Sequence, residues 1–124
     1  MKEIKKILVI DDEEQDRKSM ALVLEKQGYK EITCADTGEK GIEMALSIKP
    51  DVIVIDVVLQ NCDGFDVCKR IKDAKELSSK IIMITGHLDA IDANKARHSG
   101  ADEIIEKIPG FENVGRTINN ILGP

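Results

Sequence analysis

Three stretches of the chain are apolar without interruption and of strand length: Ile7–Asp11, Asp51–Asp56 and Lys80–Thr85, with cores ILVI, VIVI and IIMI. β-Branched residues dominate them and no polar residue alternates inside them, the pattern of strands buried on both faces of a parallel sheet. Glu31–Ala35 and Glu103–Glu106 are flanked by charge or alternate with it, and so read as edge strands. Between these stretches the apolar spacing widens to helical. Met20, Ala21 and Leu24 share a face of a helix over Glu14–Gln27, which Gly28 stops. Asp36 stands three residues before Glu39, a capping-box spacing, and opens a helix through Ile42 and Leu46 to about Ser47. Gly64–Lys72 turns Phe65, Cys68 and Ile71 inward, and Leu88 to about His98 is helical up to Gly100. Phe111, Val114, Ile118, Ile121 and Leu122 mark one face of a last helix.

Five strand–helix pairs in alternation predict an α/β fold, a single doubly wound five-stranded parallel sheet with helices on both faces. The unbroken apolar strands belong at its centre, which strand order 2-1-3-4-5 satisfies. Order 3-2-1-4-5 would put DVIVID at an edge.

Composition narrows the class. With 124 residues the chain suits one domain over 1–124, and with 2 Phe, 1 Tyr and no Trp its core must be aliphatic. Acidic residues outnumber basic ones by 23 to 18, a net charge of -5, which argues against direct nucleic-acid binding. Lys2, Lys5 and Lys6, interrupted by Glu3, read as a solvated approach to the first strand. No apolar run reaches membrane-spanning or signal-peptide length, so no membrane association is expected. Three cysteines without CxxC spacing point to a reducing cytoplasm and no zinc site.

The chemistry lies at the strand ends. A buried carboxylate is costly unless hydrogen bonds or a cation compensate it, yet the first strand runs into Asp11 and Asp12 and the third ends on Asp56. In this strand order the switch point falls between those two strands, on the rim where such sheets bind ligands. The fourth strand ends beside them in Thr85, and the fifth near Lys107. Any one of these residues alone reads as a helix cap or turn residue; their joint placement at successive strand ends is harder to assign to capping. Clustered carboxylates repel unless a cation sits among them, and oxygen ligands suit a hard ion such as Mg²⁺. Lys107 and Thr85 supply positive charge and a hydrogen bond where a phosphoryl oxygen could rest, and a carboxylate can attack phosphorus.

These residues, in this order, resemble the response-regulator receiver domains of two-component signalling, over essentially the whole chain. Asp11 and Asp12 match the family's acidic pair, Asp56 its phosphoacceptor, Thr85 its hydroxyl and Lys107 its lysine. GADEIIEK, Gly100 to Lys107, is similar to the G-A-D-x-x-x-x-K segment, and Asp63–Gly64 to the pair that opens the third helix. The resemblance implies a receiver, flavodoxin-like fold and phosphorylation of Asp56 by a sensor histidine kinase, a phosphotransfer protein or a small acyl phosphate. It implies Mg²⁺ held by Asp12 and Asp56 with the backbone carbonyl of Val58, and by Asp11 largely through water. Thr85 and Lys107 would receive the phosphoryl oxygens. The domain would be a phosphoacceptor that dephosphorylates itself, not an enzyme acting on an outside substrate. Thr85 would bias a switch face made by helix 4, strand 5 and helix 5, open to an effector protein or a second copy. Val58 and His87 stand at the positions that tune phosphoryl lifetime, although a lone His at a helix start reads as a surface or cap residue.

Three departures from the family pattern stand out. Its aromatic switch residue on strand 5 is Ile104 here, so no aromatic read-out is expected. Gln60 replaces a proline after the phosphoacceptor, which predicts a more mobile loop. Ile108, not proline, follows Lys107, and a cis bond there would cost about 2.5–4 kcal/mol. Either a trans bond with a shifted loop or a strained bond held by the site is expected, with Pro109 relocating the turn.

The chain ends soon after the fifth helix, as a stand-alone receiver or a piece of a longer regulator would. Asp89, Asp92, Lys95 and Arg97 on helix 4 form either a partner face or ordinary solvated surface. The rival function is a receiver-like interaction module that no longer signals by phosphate. A haloacid-dehalogenase-like hydrolase would need a second aspartate where Val58 stands, and a flavin binder a Ser/Thr-rich loop where Asp-Asp-Glu-Glu stands.

Overall fold

A computed structural model describes residues 4–123 of the chain; Lys2 and Glu3 of the basic approach lie outside them. The elements run β1 (Lys6–Ile10), α1 (Glu14–Lys26), β2 (Glu31–Ala35), α2 (Gly38–Ile48), β3 (Val52–Asp56), β4 (Val58–Leu59), β5 (Cys62–Asp63), α3 (Gly64–Asp73), β6 (Lys80–Thr85), α4 (Ala90–Ser99), β7 (Glu103–Glu106) and α5 (Glu112–Leu122). The parallel sheet has the order β2-β1-β3-β6-β7, which is the expected 2-1-3-4-5 once the short β4–β5 hairpin is set aside. Its register places Val9 opposite Val54 and Ile82 beside Val54 in turn.

The unbroken apolar strands are central because each buries both faces. Ile7 to Ile10, Val52 to Ile55 and Ile81 to Ile84 are all 0% exposed. Alternate residues serve opposite cores. Ile7, Val9, Val52, Val54, Ile82 and Ile84 pack with Met20 and Leu24 of α1 and Val114 and Ile118 of α5. Leu8, Ile10, Ile53, Ile55, Ile81 and Met83 pack with Ala45 of α2, with Phe65, Cys68 and Ile71 of α3, and with Ala96 of α4. Strands β2 and β7 are only half-buried, as edges are.

Two local expectations change, a short hairpin appears that was not foreseen, and one open alternative is decided. Thr37, not Asp36, caps α2: its hydroxyl accepts the Lys40 N–H at 3.1 Å, while the Asp36 carboxylate pairs with the Lys40 side chain one turn on. Helix α4 begins at Ala90 behind an Asp89 cap, which leaves Leu88 in the preceding loop. The segment around Gln60 closes as a hairpin, with Val58 opposite Asp63. No cis peptide bond occurs among the described residues, so of the two alternatives for the Lys107–Ile108 bond the trans form holds. There Pro109 starts a single 3₁₀ turn, and Gly110 (φ 82°) and Phe111 (φ 54°) take left-handed conformations. Glycine adopts such a φ freely; Phe111 does not, and burying its ring against the α1–α5 core offsets the roughly 1–2 kcal/mol involved.

Candidate functional site

The parallel arrangement brings the C-terminal ends of β1, β3, β6 and β7 to one rim. Asp11 follows β1 and is fully buried, Asp12 is half-buried beside it, and Asp56 ends β3 at 5% exposure. One carboxylate oxygen from each lies within 4.8 Å of the other two, which makes this a group able to hold a divalent cation. Thr85, at the end of β6, is 4% exposed. Lys107 follows β7, its backbone N–H donating to the Thr85 carbonyl at 2.7 Å.

Short local contacts aim these side chains. The Asp11 N–H donates to the Ala35 carbonyl at 3.1 Å, its Oδ1 accepts the Glu13 N–H at 2.9 Å, and its carbonyl accepts from Arg17 Nη1 at 2.9 Å. Together they turn the chain out of β1 into α1. Asp56 is held through both oxygens: Oδ1 accepts the Val58 N–H at 3.0 Å and Oδ2 accepts from Lys107 Nζ at 2.7 Å. The Asp63–Gly64 pair supports this from behind. Asp63 caps α3 through the Phe65 N–H at 2.8 Å. A Cβ on Gly64 would lie 2.1 Å from the Asp56 carbonyl oxygen, so only glycine lets α3 start against the backbone of Asp56.

Burial pushes the Asp11 carboxyl up from 3.8 to about 6; the Glu13 N–H opposes this, the Asp56 charge adds to it, and Lys107 opposes it. Its Oδ2 is buried without a hydrogen bond, although Lys107 Nζ stands at ion-pair distance, 3.1 Å. A buried carboxylate oxygen short of a partner, facing two further acids, fits a cation site. Burial of the Lys107 ammonium works to lower its pKa, but hydrogen bonds to Asp16 and Asp56 and the charges of Asp56 and Asp11 outweigh it, leaving it raised. Lys107 therefore stays charged.

Of the residues singled out from sequence, Asp11, Asp12, Asp56 and Lys107 converge, and Thr85 stands on the same rim. The Val58 backbone adjoins the Asp56 carboxylate while its side chain is 72% exposed. Ile104 pairs with Met83 on β6 and packs, half-buried, on the α2–α4 side of the sheet. His87 meets the site through its backbone, its N–H donating to Thr85 Oγ1 at 3.3 Å. Sequence reasoning missed Asp16, whose Oδ2 is 2.7 Å from Lys107 Nζ. Its one signal is its place in the first turn of α1, four residues after Asp12. The charges of α4 are partly spent within the domain: Asp89 caps Asp92, Lys95 lies 5.9 Å from the centre of the Phe65 ring, and Arg97 donates to Asn94.

Comparison with known proteins agrees with this geometry. The model of the response regulator receiver domain matches residues 7–118. The chain is 41% identical over 118 residues to the alkaline phosphatase synthesis transcriptional regulatory protein PhoP of Bacillus subtilis, a match covering 95% of this chain and 48% of that protein. It is 39% identical over 101 residues to the transcriptional regulatory protein AfsQ1 of Streptomyces coelicolor, covering 82% of this chain and 44% of that one. The chain thus spans about half the length of these curated relatives. Among solved structures, a two-component response regulator from Clostridium difficile superposes with a TM-score of 0.86 at 27% identity, covering 95% of both chains. The chemotaxis protein CheY4 of Vibrio cholerae shares the fold, with a TM-score of 0.88 at 22% identity over 96% of this chain and 99% of that one.

Proposed function

The chain belongs to the response regulator receiver domain family, and from that premise we propose that it is a phosphoacceptor switch in which Asp56 takes a phosphoryl group and a face formed by α4, β7 and α5 reads the result. The observation that carries this is the Asp56 carboxylate, held on one oxygen by the Val58 N–H (3.0 Å) and on the other by Lys107 (2.7 Å), inside the acidic cluster.

Asp11, Asp12 and Asp56, with the Val58 carbonyl, would hold Mg²⁺. When bound, the ion supplies positive charge opposite the phosphoryl oxygens. The chain's own groups do the rest. An Asp56 carboxylate oxygen attacks phosphorus in line; the new O–P bond forms as the donor's P–N bond (phosphohistidine) or P–O bond (acyl phosphate) breaks, and the pair of electrons leaves with the imidazole or the carboxylate. Lys107, charged and already in contact with Asp56, neutralises the charge carried in. Water attacking the same phosphorus later breaks the Asp56 O–P bond, returns the electron pair to the carboxylate and releases inorganic phosphate, so the domain acts as a phosphoacceptor and not as an enzyme with an outside substrate.

The surroundings of Thr85 support the switching step. Its Oγ1 has hydrogen-bond partners only at 3.3 Å (the His87 carbonyl and N–H) and 3.5 Å (Asp92 Oδ2) among the described residues, all longer than the roughly 2.7–2.8 Å preferred by O–H···O bonds and the roughly 2.9–3.0 Å preferred by N–H···O bonds. A weakly held hydroxyl is readily drawn to a phosphoryl oxygen. Motion there is linked to the output face: the Leu88 N–H donates to the Glu106 side chain at 3.1 Å, and Asn113 Nδ2 to the Glu106 carbonyl at 2.9 Å. The donor would be a sensor histidine kinase or a phosphotransfer protein, and the reader an effector protein or a second copy of the chain.

The test is intact mass after incubation with acetyl phosphate, with and without Mg²⁺, on the unmodified chain and on Asp56→Asn. One Mg²⁺-dependent phosphoryl adduct, absent from the variant, is expected. If no adduct forms while beryllofluoride also fails to bind, the phosphate-independent interaction module becomes the better reading.

A further inference from the structure

Lys107 Nζ lies among three carboxylates: Asp16 at 2.7 Å, Asp56 at 2.7 Å and Asp11 at 3.1 Å. The ammonium donates hydrogen bonds to Asp16 and Asp56, and Asp11 stands at ion-pair distance. Two of these carboxylates, Asp11 and Asp56, also belong to the cation cluster; Asp16 does not. A divalent cation on the cluster would compete with the ammonium for those two and repel it as a like charge. Asp16 is the one acceptor that such competition leaves untouched. It sits on a rigid element, in the first turn of α1, where the Arg17 N–H already bonds back to the Glu13 carbonyl at 3.0 Å. Lys107 reaches it along a flexible four-carbon stem that, without an anchor, has many other rotamers. Asp16 and Lys107 are 91 positions apart, so the contact also ties α1 to the end of β7.

We propose that Asp16 is a positioning residue for Lys107: it holds the ammonium beside Asp56 while a divalent cation occupies the acidic cluster. The proposal rests on the phosphoacceptor reading of Asp56. Asp16 touches neither the phosphoryl group nor the cation; it acts through the lysine. Misplacing a reacting group by about 1 Å can cost on the order of 10²-fold in rate. Because a lysine released from Asp16 still samples the position beside Asp56 part of the time, the expected loss is smaller, about tenfold.

The experiment compares the unmodified chain with Asp16→Asn, Asp16→Ala and Asp16→Glu. The first readout is the Nζ signal of Lys107 by ¹⁵N NMR, assigned with Lys107→Arg, as Mg²⁺ is added. The second is the rate of phosphorylation by acetyl phosphate at saturating Mg²⁺. In the unmodified chain the ammonium should remain protected as Mg²⁺ binds. In Asp16→Asn and Asp16→Ala, Mg²⁺ should convert it to a solvent-exchanging lysine and slow phosphorylation about tenfold, and Asp16→Glu should recover part of both. Folded Asn and Ala variants that keep a protected ammonium in Mg²⁺, or that phosphorylate within about twofold of the unmodified chain, well short of that loss, would overturn the proposal. A purely structural role would lower stability without making the Lys107 signal depend on Mg²⁺. If the unmodified chain itself takes no phosphoryl group, the phosphoacceptor reading fails first, and this inference falls with it.

Discussion

Removing one negative charge from the acidic rim should stabilise the cation-free domain, and Asp11→Asn is the variant that shows it. Asp11 is fully buried, and its carboxyl is raised from 3.8 to about 6, first by burial. A raised carboxyl pKa means that the folded chain binds the proton more tightly than the unfolded one. For this group stability is therefore greatest below about pH 4 and falls as pH rises through about 6. At roughly 1.36 kcal/mol per pH unit, the ionised group costs the cation-free fold up to about 3 kcal/mol at neutral pH. Asparagine removes that charge and keeps an oxygen for the Glu13 N–H, but it gives up the 3.1 Å ion pair with Lys107. The net expectation is a gain of about 1–2 kcal/mol at pH 7.5 in a chelator. Urea unfolding followed by far-UV circular dichroism measures it, since the chain has no tryptophan. Saturating Mg²⁺ should stabilise the unmodified chain and have much less effect on Asp11→Asn. If the variant proves less stable in chelator at pH 7.5, or gains as much from Mg²⁺, the argument that Asp11 is a strained carboxylate awaiting a cation is wrong.

Three further substitutions test the start of α3 behind the site and the cap of α2. Gly64→Ala puts a Cβ 2.1 Å from the Asp56 carbonyl oxygen; it should lose about 1–3 kcal/mol of stability and shift the Asp56 and Val58 amide resonances, and unchanged resonances would mean that α3 does not brace the site. Thr37→Ala should cost about 1 kcal/mol by urea unfolding because it removes the α2 cap. Asp36→Ala, which loses only an exposed pair with Lys40, should cost less than about 0.5 kcal/mol, and the reverse order would restore Asp36 as the cap.

Sheet order and the placement of the acidic rim were legible in the sequence because both follow from burial. Only a strand covered on both faces can be apolar at every position, so the three ILVI-like runs had to be central, and their C-terminal acids had to share a rim. The α2 cap was misread by one residue because Asp36 and Thr37 are both good caps, and the spacing to Glu39 favoured the wrong one. The start of α4 was read early because Leu88 looks like a core residue, yet it is 37% exposed. The hairpin around Gln60 left no periodic trace, since each of its strands is two residues long.

By itself the sequence determined the class of fold, the strand order and four of the charged groups of the site, Asp11, Asp12, Asp56 and Lys107. These depend on which residues are apolar and on where the runs end. Only the tertiary structure decided which carboxylates share the ammonium. Asp16 and Lys107 meet because α1 packs against the sheet with its first turn beside the end of β7, and because a lysine is long enough to cross the gap. Chain order encodes neither that packing distance nor that reach. The same holds for the loop after Lys107, where burial of the Phe111 ring sets against the left-handed backbone at Phe111 a gain that appears only once α1, α5 and the sheet have come together.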